Sequence, residues 1–382
     1  MRYPLLDPLR GLAAVWVFTH HLVYSTGSAV LPEYRLACVG YFGVPLFFVI
    51  SGYCLTAAAR RSAKRGDPVP RFLLRRAIRI YPPFWAAVVV ALAVYAGLAV
   101  VGGRPQTPLE AHLRHAWQGL DVRDWAGVFT LGSAFRGTGE LPWEKFSSLN
   151  LAFWTLAIEV QFYAVVGLAL FAPRRFYRMI ALVTVASLPL MFDEAAYRSG
   201  WFLPHWPFFA LGIGLYAALE RGWTAARLPR AVRLAVAAAA VGLLIDGLDR
   251  APLIPAGGRG MVAAVFEFAA GVVGLLWVWW RPADGRQAAP GLAGAGLNYL
   301  GSVSYTLYLL HIPLMVGVTA LIGSWLVPGT VGYFAVTLAV VCLLCYPFHR
   351  WVERPCMGEP GPRPAATPAA VPAMSGCTPA FP

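Results

Sequence analysis

Arg10 and His21 stand eleven residues apart in the stretch LDPLRGLAAVWVFTHHLVY (6–24), which is otherwise apolar enough to cross a membrane. Ionisable side chains are costly inside a bilayer, and there they default to a functional reading. Asp7 and Pro8 predict a helix start, with Asp as N-cap and Pro in the first turn. Eleven helical steps make roughly 1100°, about 20° past three full turns, so Arg10 and His21 share one face about 16 Å apart. His20 falls about 80° to the side, and a structural role is expected for it. A neutral imidazole titrating near neutrality suits proton abstraction, and an arginine suits an anionic group.

Two further polar stripes fit the same picture. In SLNLAFWTLAIEVQFYAV (148–165), Thr155, Glu159 and Tyr163 fall at i, i+4 and i+8. In SVSYTLYLLHIPL (302–314), Ser304, Tyr308 and His311 fall at i, i+4 and i+7. Counted from the helix ends, Glu159 lies roughly 13 Å and His21 roughly 9 Å from the outer surface, and His311 approaches the same depth. These residues are expected to line a polar chamber reached from outside. Arg10 and the basic segment RRSAKRGDPVPRFLLRRAIRIYP (60–82), read as a cytoplasmic loop, suggest an anionic ligand from inside.

The elements that must position them are apolar helices. The chain has 382 residues, of which 58% are hydrophobic and 13% charged. A soluble domain carries about 25% charged residues. The expected fold is all-α: a polytopic integral membrane protein with about ten transmembrane helices, at 8–27, 39–59, 82–101, 150–171, 179–193, 203–219, 231–248, 261–280, 299–322 and 330–348. The net charge of +13 is explained by topology. With the N-terminus inside, 22 of the 31 Lys and Arg residues fall on the inner side. That asymmetry is the positive-inside pattern, places both termini in the cytoplasm and argues against a nucleic-acid partner. A cleaved signal peptide is disfavoured by His20 and His21 in its apolar region.

Residues 102–149 form the long extracytoplasmic connection, where Trp117, Trp125 and Trp143 suggest an ordered piece at the membrane interface. The Pro/Ala-rich segment 354–382 is expected to be a disordered cytoplasmic tail. The membrane domain is expected to span 1–353, in a stand-alone form. Six scattered cysteines imply no disulfide framework. Cys342 and Cys345 have a CxxC spacing inside the last span but lack partner ligands, and no metal site is expected. Small residues at Gly40, Gly43, Ser51 and Gly52 suit close helix approach.

The ordered set of motifs resembles the acyltransferase 3 family of bacterial integral-membrane acyltransferases, over about residues 3–353. The motifs are Arg10 with His21; Gly40, Gly43, Phe47, Phe48, Ser51 and Gly52; Arg76 and Arg79 before Tyr81; WTLAIEVQFY around Glu159; and SYTLYLLHIP with Tyr305 and His311. The resemblance implies transfer of an acyl group, often acetyl from acetyl-CoA, onto sugars or other small molecules. It implies His21 as the essential histidine and Arg10, Arg76 and Arg79 on the donor side. We expect a general base at His21, with Glu159 orienting its imidazole or balancing its charge, and substrate contacts from Ser51, Tyr163, Tyr305 and His311. The donor, acetyl-CoA or another acyl-CoA, is a co-substrate, and no permanently bound cofactor is expected. The acceptor is a glycan, a glycolipid or a sugar-bearing small molecule, and the setting is the bacterial inner membrane. The rival expectation is a transporter or exporter of an acylated small molecule, since intramembrane His and Glu also build proton relays.

Overall fold

The computed structural model describes residues 5–27, 34–102, 104–132, 148–251, 259–280 and 292–357. The long helices are α1 (Leu6–Ser25), α2 (Gly43–Lys64), α3 (Val69–Val101), α4 (Pro108–Ala116), α5 (Val122–Phe129) and α6 (Trp154–Leu170). They continue with α7 (Phe176–Met191), α8 (Trp206–Glu220), α9 (Arg230–Arg250), α10 (Arg259–Trp279), α11 (Leu292–Ile322) and α12 (Val331–Phe348). No strand occurs among the described residues. In lipid every backbone polar group must be satisfied within the protein, which leaves helices or closed barrels.

Each of the ten expected spans coincides with a helix. Six are long and apolar enough to cross a bilayer, or seven if the pair α6 and α7, bent by 112°, counts as one. The expected ten is thereby reduced on two physical grounds. Helices α6, α7 and α8 have 17, 16 and 15 residues, short of the ~20 that a hydrocarbon core requires. Helix α1 is diluted by Asp7, Arg10, His20 and His21. Its start is also corrected: the helix begins at Leu6, so Asp7 lies inside the first turn and is not the N-cap. The basic segment is corrected as well. Only 65–68 separates α2 from α3, and Arg71, Arg75, Arg76 and Arg79 are carried on the first turns of a 33-residue helix.

That short turn is held by Asp67, which accepts from Arg75 Nη2 at 2.7 Å, Arg65 Nη2 at 2.8 Å and Ser62 Oγ at 3.1 Å. The bonds from Arg65, then Arg75, draw the Asp67 carboxyl down from 3.8 to about 2.

Helices α2 and α11 are central, with 72% and 67% of their apolar windows buried, whereas α9 has 11% and faces outward. Helix α1 packs along α11, α2 on α8, and α6 between α2 and α3. Lipid tails are as apolar as the helices, so association depends on close packing and interhelical hydrogen bonds. Glycines supply the close packing. A Cβ on Gly301 would sit 2.3 Å from the Asp7 carbonyl oxygen, and one on Gly11 2.6 Å from Gly301 N. Gly43 similarly meets the Ala13 carbonyl, and Gly52 the Phe209 carbonyl. Gly43 and Gly52 are therefore packing contacts of α2 against α1 and α8, Gly40 just before α2 meets the Trp16 carbonyl, and Ser51 instead donates to Glu159.

Gly301→Ala is expected to lower the thermal stability of the detergent-extracted protein by about 1–3 kcal/mol through overpacking. Gly296→Ala on the same helix meets nothing within 4 Å and should be neutral or stabilising by helix propensity. The Asp67 anchor contributes at any pH above the ordinary carboxylate value and is lost as pH falls through about 2. Melting temperature should thus owe no change to Asp67 between pH 5 and pH 8, on any buffer comparison, while Asp67→Asn should lower it at both.

Candidate active site

Five helices line a narrow cavity of about 70 Å³. Its polar lining comprises Arg10 from α1, Ser51 from α2, Arg79 from α3, Glu159 and Tyr163 from α6, and Tyr305 from α11. Six sequence-predicted residues thus meet in one place. The α6 stripe is realised as expected: Tyr163 Oη donates to Glu159 Oε1 at 2.7 Å, and Ser51 Oγ donates to the same oxygen at 3.1 Å. Arg10 makes only long contacts, 3.8 Å to Asp7 and 3.6 Å to Cys54 Sγ. Arg76 stands one turn before Arg79. Its Nε is buried with no hydrogen-bond partner among the described residues. The charge of Glu159 acts on both guanidiniums.

The histidines occupy a separate level. His21 Nδ1 lies 3.0 Å from the Val17 carbonyl oxygen and 3.2 Å from His311 Nε2, with the rings 5.0 Å apart. His311 is 1% exposed, and its Nδ1 lies 2.8 Å from the Tyr308 carbonyl oxygen. His20 has a different partner, the Cys38 carbonyl at 2.9 Å, consistent with a structural role.

The expectation that Glu159 orients His21 meets a different geometry. Thr155 and Tyr308 share a 2.7 Å hydrogen bond. From that level Glu159 lies four residues inward and His311 three residues outward, a separation of about 10 Å along the helices. The depth counted from the helix end misleads because α6 does not start at the surface. Asn150, ahead of it, already donates to the Leu309 carbonyl at 2.8 Å. The place beside His21 belongs to His311. Between the two levels stand Tyr308 and Phe47, rings 5.1 Å apart, packed with Val17 and Ala152.

One residue of this region escaped the sequence reading. Glu353 is 2% exposed and accepts from Thr306 Oγ1 at 2.6 Å, with His349 Nδ1 at 2.7 Å. Its charge also acts on Arg79. It sits on a π-turn, His349–Glu353, a form frequent at functional sites. Its signal was a carboxylate immediately before Arg354 and Pro355, at the edge of what looked like a tail. Of the segment 102–149, residues 133–147 with Trp143 lie outside the described residues, as does the tail from 358 onward.

Comparisons with known proteins place the chain in a family. The profile of the acyltransferase domain family matches residues 3–350. The chain belongs to that family and is a multi-pass membrane acyltransferase. It is 27% identical over 322 residues to BcsY of Komagataeibacter xylinus, described as a membrane-bound transacylase, covering 81% of this chain and 72% of that protein. It is 30% identical over 165 residues to the peptidoglycan O-acetyltransferase OatA of Listeria monocytogenes, covering 42% of this chain and 23% of that protein. It is 29% identical over 187 residues to nodulation protein 10 of Rhizobium leguminosarum, covering 47% of this chain and 41% of that protein. No solved structure matches the chain.

Glu159→Leu removes the acceptor of two buried hydroxyls, on Ser51 and Tyr163. It is expected to lose about 1–3 kcal/mol of stability, and Glu159→Gln, which keeps an acceptor, less. Thermal unfolding of the two variants in one detergent checks the order.

Proposed function

We propose that this protein moves an acyl group from cytoplasmic acyl-CoA to a hydroxyl of an envelope or secreted glycan or glycolipid, with His21 as the general base. The observation that carries the reading is the line along α1: Arg10 in a cationic cavity and His21 about 16 Å further along the same face. Arg10, Arg76 and Arg79 stand near Asp7, Glu159 and Glu353, but Glu159 already accepts from Ser51 and Tyr163 and Glu353 from Thr306, so the guanidiniums keep donors for an anion. Guanidiniums hold phosphate oxygens through charge-assisted forked hydrogen bonds. The arm of the donor then points its thioester outward, past Tyr308 and Phe47, toward His21. Tyr163, Tyr305 and Ser51 line the path of that arm.

In the reaction His21 Nε2 removes the proton of the acceptor hydroxyl as its oxygen attacks the thioester carbonyl. The carbon–sulfur bond breaks, the CoA thiolate takes up the proton, and the products are an ester and free CoA. Neither phosphates nor oxidants are consumed. The acceptor class is supported by the relatives' names, a peptidoglycan O-acetyltransferase among them. The inner bacterial membrane, with both termini cytoplasmic, is supported by the Lys and Arg asymmetry.

His21→Gln is expected to lower acyl transfer by about 10²–10⁴-fold, the range of a general base. Base-labile acetate on envelope glycans and secreted glycolipids is the readout, in a deletion strain complemented with either form at equal membrane level. Activity close to wild type in His21→Gln overturns the assignment. Arg79→Gln is expected to raise KM for acyl-CoA at least tenfold; an unchanged KM would remove it from the donor site.

A further inference from the structure

We infer that His311 is a positioning residue: it fixes His21 in the tautomer that leaves Nε2 free to act as the base. The inference rests on His21 being the base. Hydrogen positions follow from the network, since a carbonyl oxygen only accepts. His311 Nδ1 faces the Tyr308 carbonyl oxygen at 2.8 Å, so it carries a proton. His21 Nδ1 faces the Val17 carbonyl oxygen at 3.0 Å, so it carries one too. The contact of 3.2 Å between His311 Nε2 and His21 Nδ1 then needs a lone pair on His311. One assignment is compatible with all three contacts: both rings neutral and each protonated on Nδ1, with the one His21 Nδ1–H shared between the Val17 carbonyl oxygen and His311 Nε2. The chain of donation runs from His21 Nδ1 to His311 Nε2, and from His311 Nδ1 to Tyr308.

His21 Nε2 is thereby left with its lone pair. It has no hydrogen bond among the described residues. His21 is half-buried rather than sealed in the core. When Nε2 takes the acceptor's proton, the Nδ1–H bond to His311 is already in place and no group has to turn. In catalytic triads a third group holds the base in this way, usually as a carboxylate. Here the third group is a neutral imidazole. It is held in turn by a helix carbonyl and is itself 1% exposed. His20, with its ring 5.3 Å from that of His21, is tied to Cys38 and does not compete.

The test compares two variants of the full-length protein in membranes, with acetyl-CoA as donor. The amide oxygen of His311→Gln can accept from His21 Nδ1, but it cannot carry a proton. His311→Leu keeps bulk and accepts nothing. We expect kcat to fall about 100-fold in His311→Leu with KM for acetyl-CoA unchanged, and to recover at least tenfold in His311→Gln. Equal activity of the two variants, whether high or absent, overturns the inference. Folding of the variants is made irrelevant by a second measurement on wild type. Nitrogen-15 NMR of histidine-labelled protein, with the His21 signals assigned through His21→Gln, should show His21 protonated on Nδ1 and bare on Nε2. The opposite tautomer overturns the inference. An active His21→Gln would instead remove the base itself, so the two failures are distinct.

Discussion

The contact on which the rest depends is glycine against glycine. Gly11 and Gly301 bring α1 and α11 so close that the backbone of one touches the other, with Gly301 against the Asp7 carbonyl. The two helices run in parallel. Ten residues after each glycine comes a histidine, His21 on α1 and His311 on α11. Equal rise per residue carries both to the same height. The 3.2 Å bond between their rings is thus set by a packing event about 15 Å away. A larger side chain at either glycine spreads the helices, and imidazoles are too short to span a wider gap.

The close packing also divides the interior into two levels. Below Tyr308 the side chains are charged and hydroxylated; above it stand the histidines. Tyr308 belongs to both. Its ring lines the cavity and its hydroxyl is fixed by Thr155, while its carbonyl holds His311. A polar group in the bilayer interior is retained only when paired or serving a pathway. Ser51, Glu159 and Tyr163 satisfy one another. The guanidinium of Arg10 and the Nε of Arg76 have weak partners or none among the described residues. That imbalance on the arginine side supports the proposed binding of an anion there.

Much of this was legible because helical periodicity reports which residues share a face. The alignment of Arg10 with His21 and the stripe Thr155–Glu159–Tyr163 came from counting alone, and so did the stripe that contains Tyr308 and His311. What periodicity does not report is how one helix is rotated and shifted against its neighbours. Glu159 was put level with His21 because the depth of α6 was counted from a helix end that proved to be inside the bundle. Arg76 and Arg79 were read as loop residues because their charge hid a helix that begins at Val69. Glu353 was overlooked because a carboxylate next to a tail reads as solvated, whereas a π-turn rotates it inward onto Thr306.

The division of charge between the levels has a physical logic. In the proposed reaction the donor is an anion and its leaving group a thiolate, and Arg10 and Arg79 are the cations that would meet it. The base must be uncharged before it acts, and an acid beside it would bring a second ion into a low-dielectric region. Burying an ion pair costs several kcal/mol per ion, which good geometry only sometimes recovers. A neutral histidine avoids that cost and still supplies the one thing the base requires, an acceptor at Nδ1. In the proposed reaction the imidazolium is short-lived, because its proton leaves with the thiolate, and the neutral His311 would hold His21 in its starting tautomer before and after transfer without adding a charge.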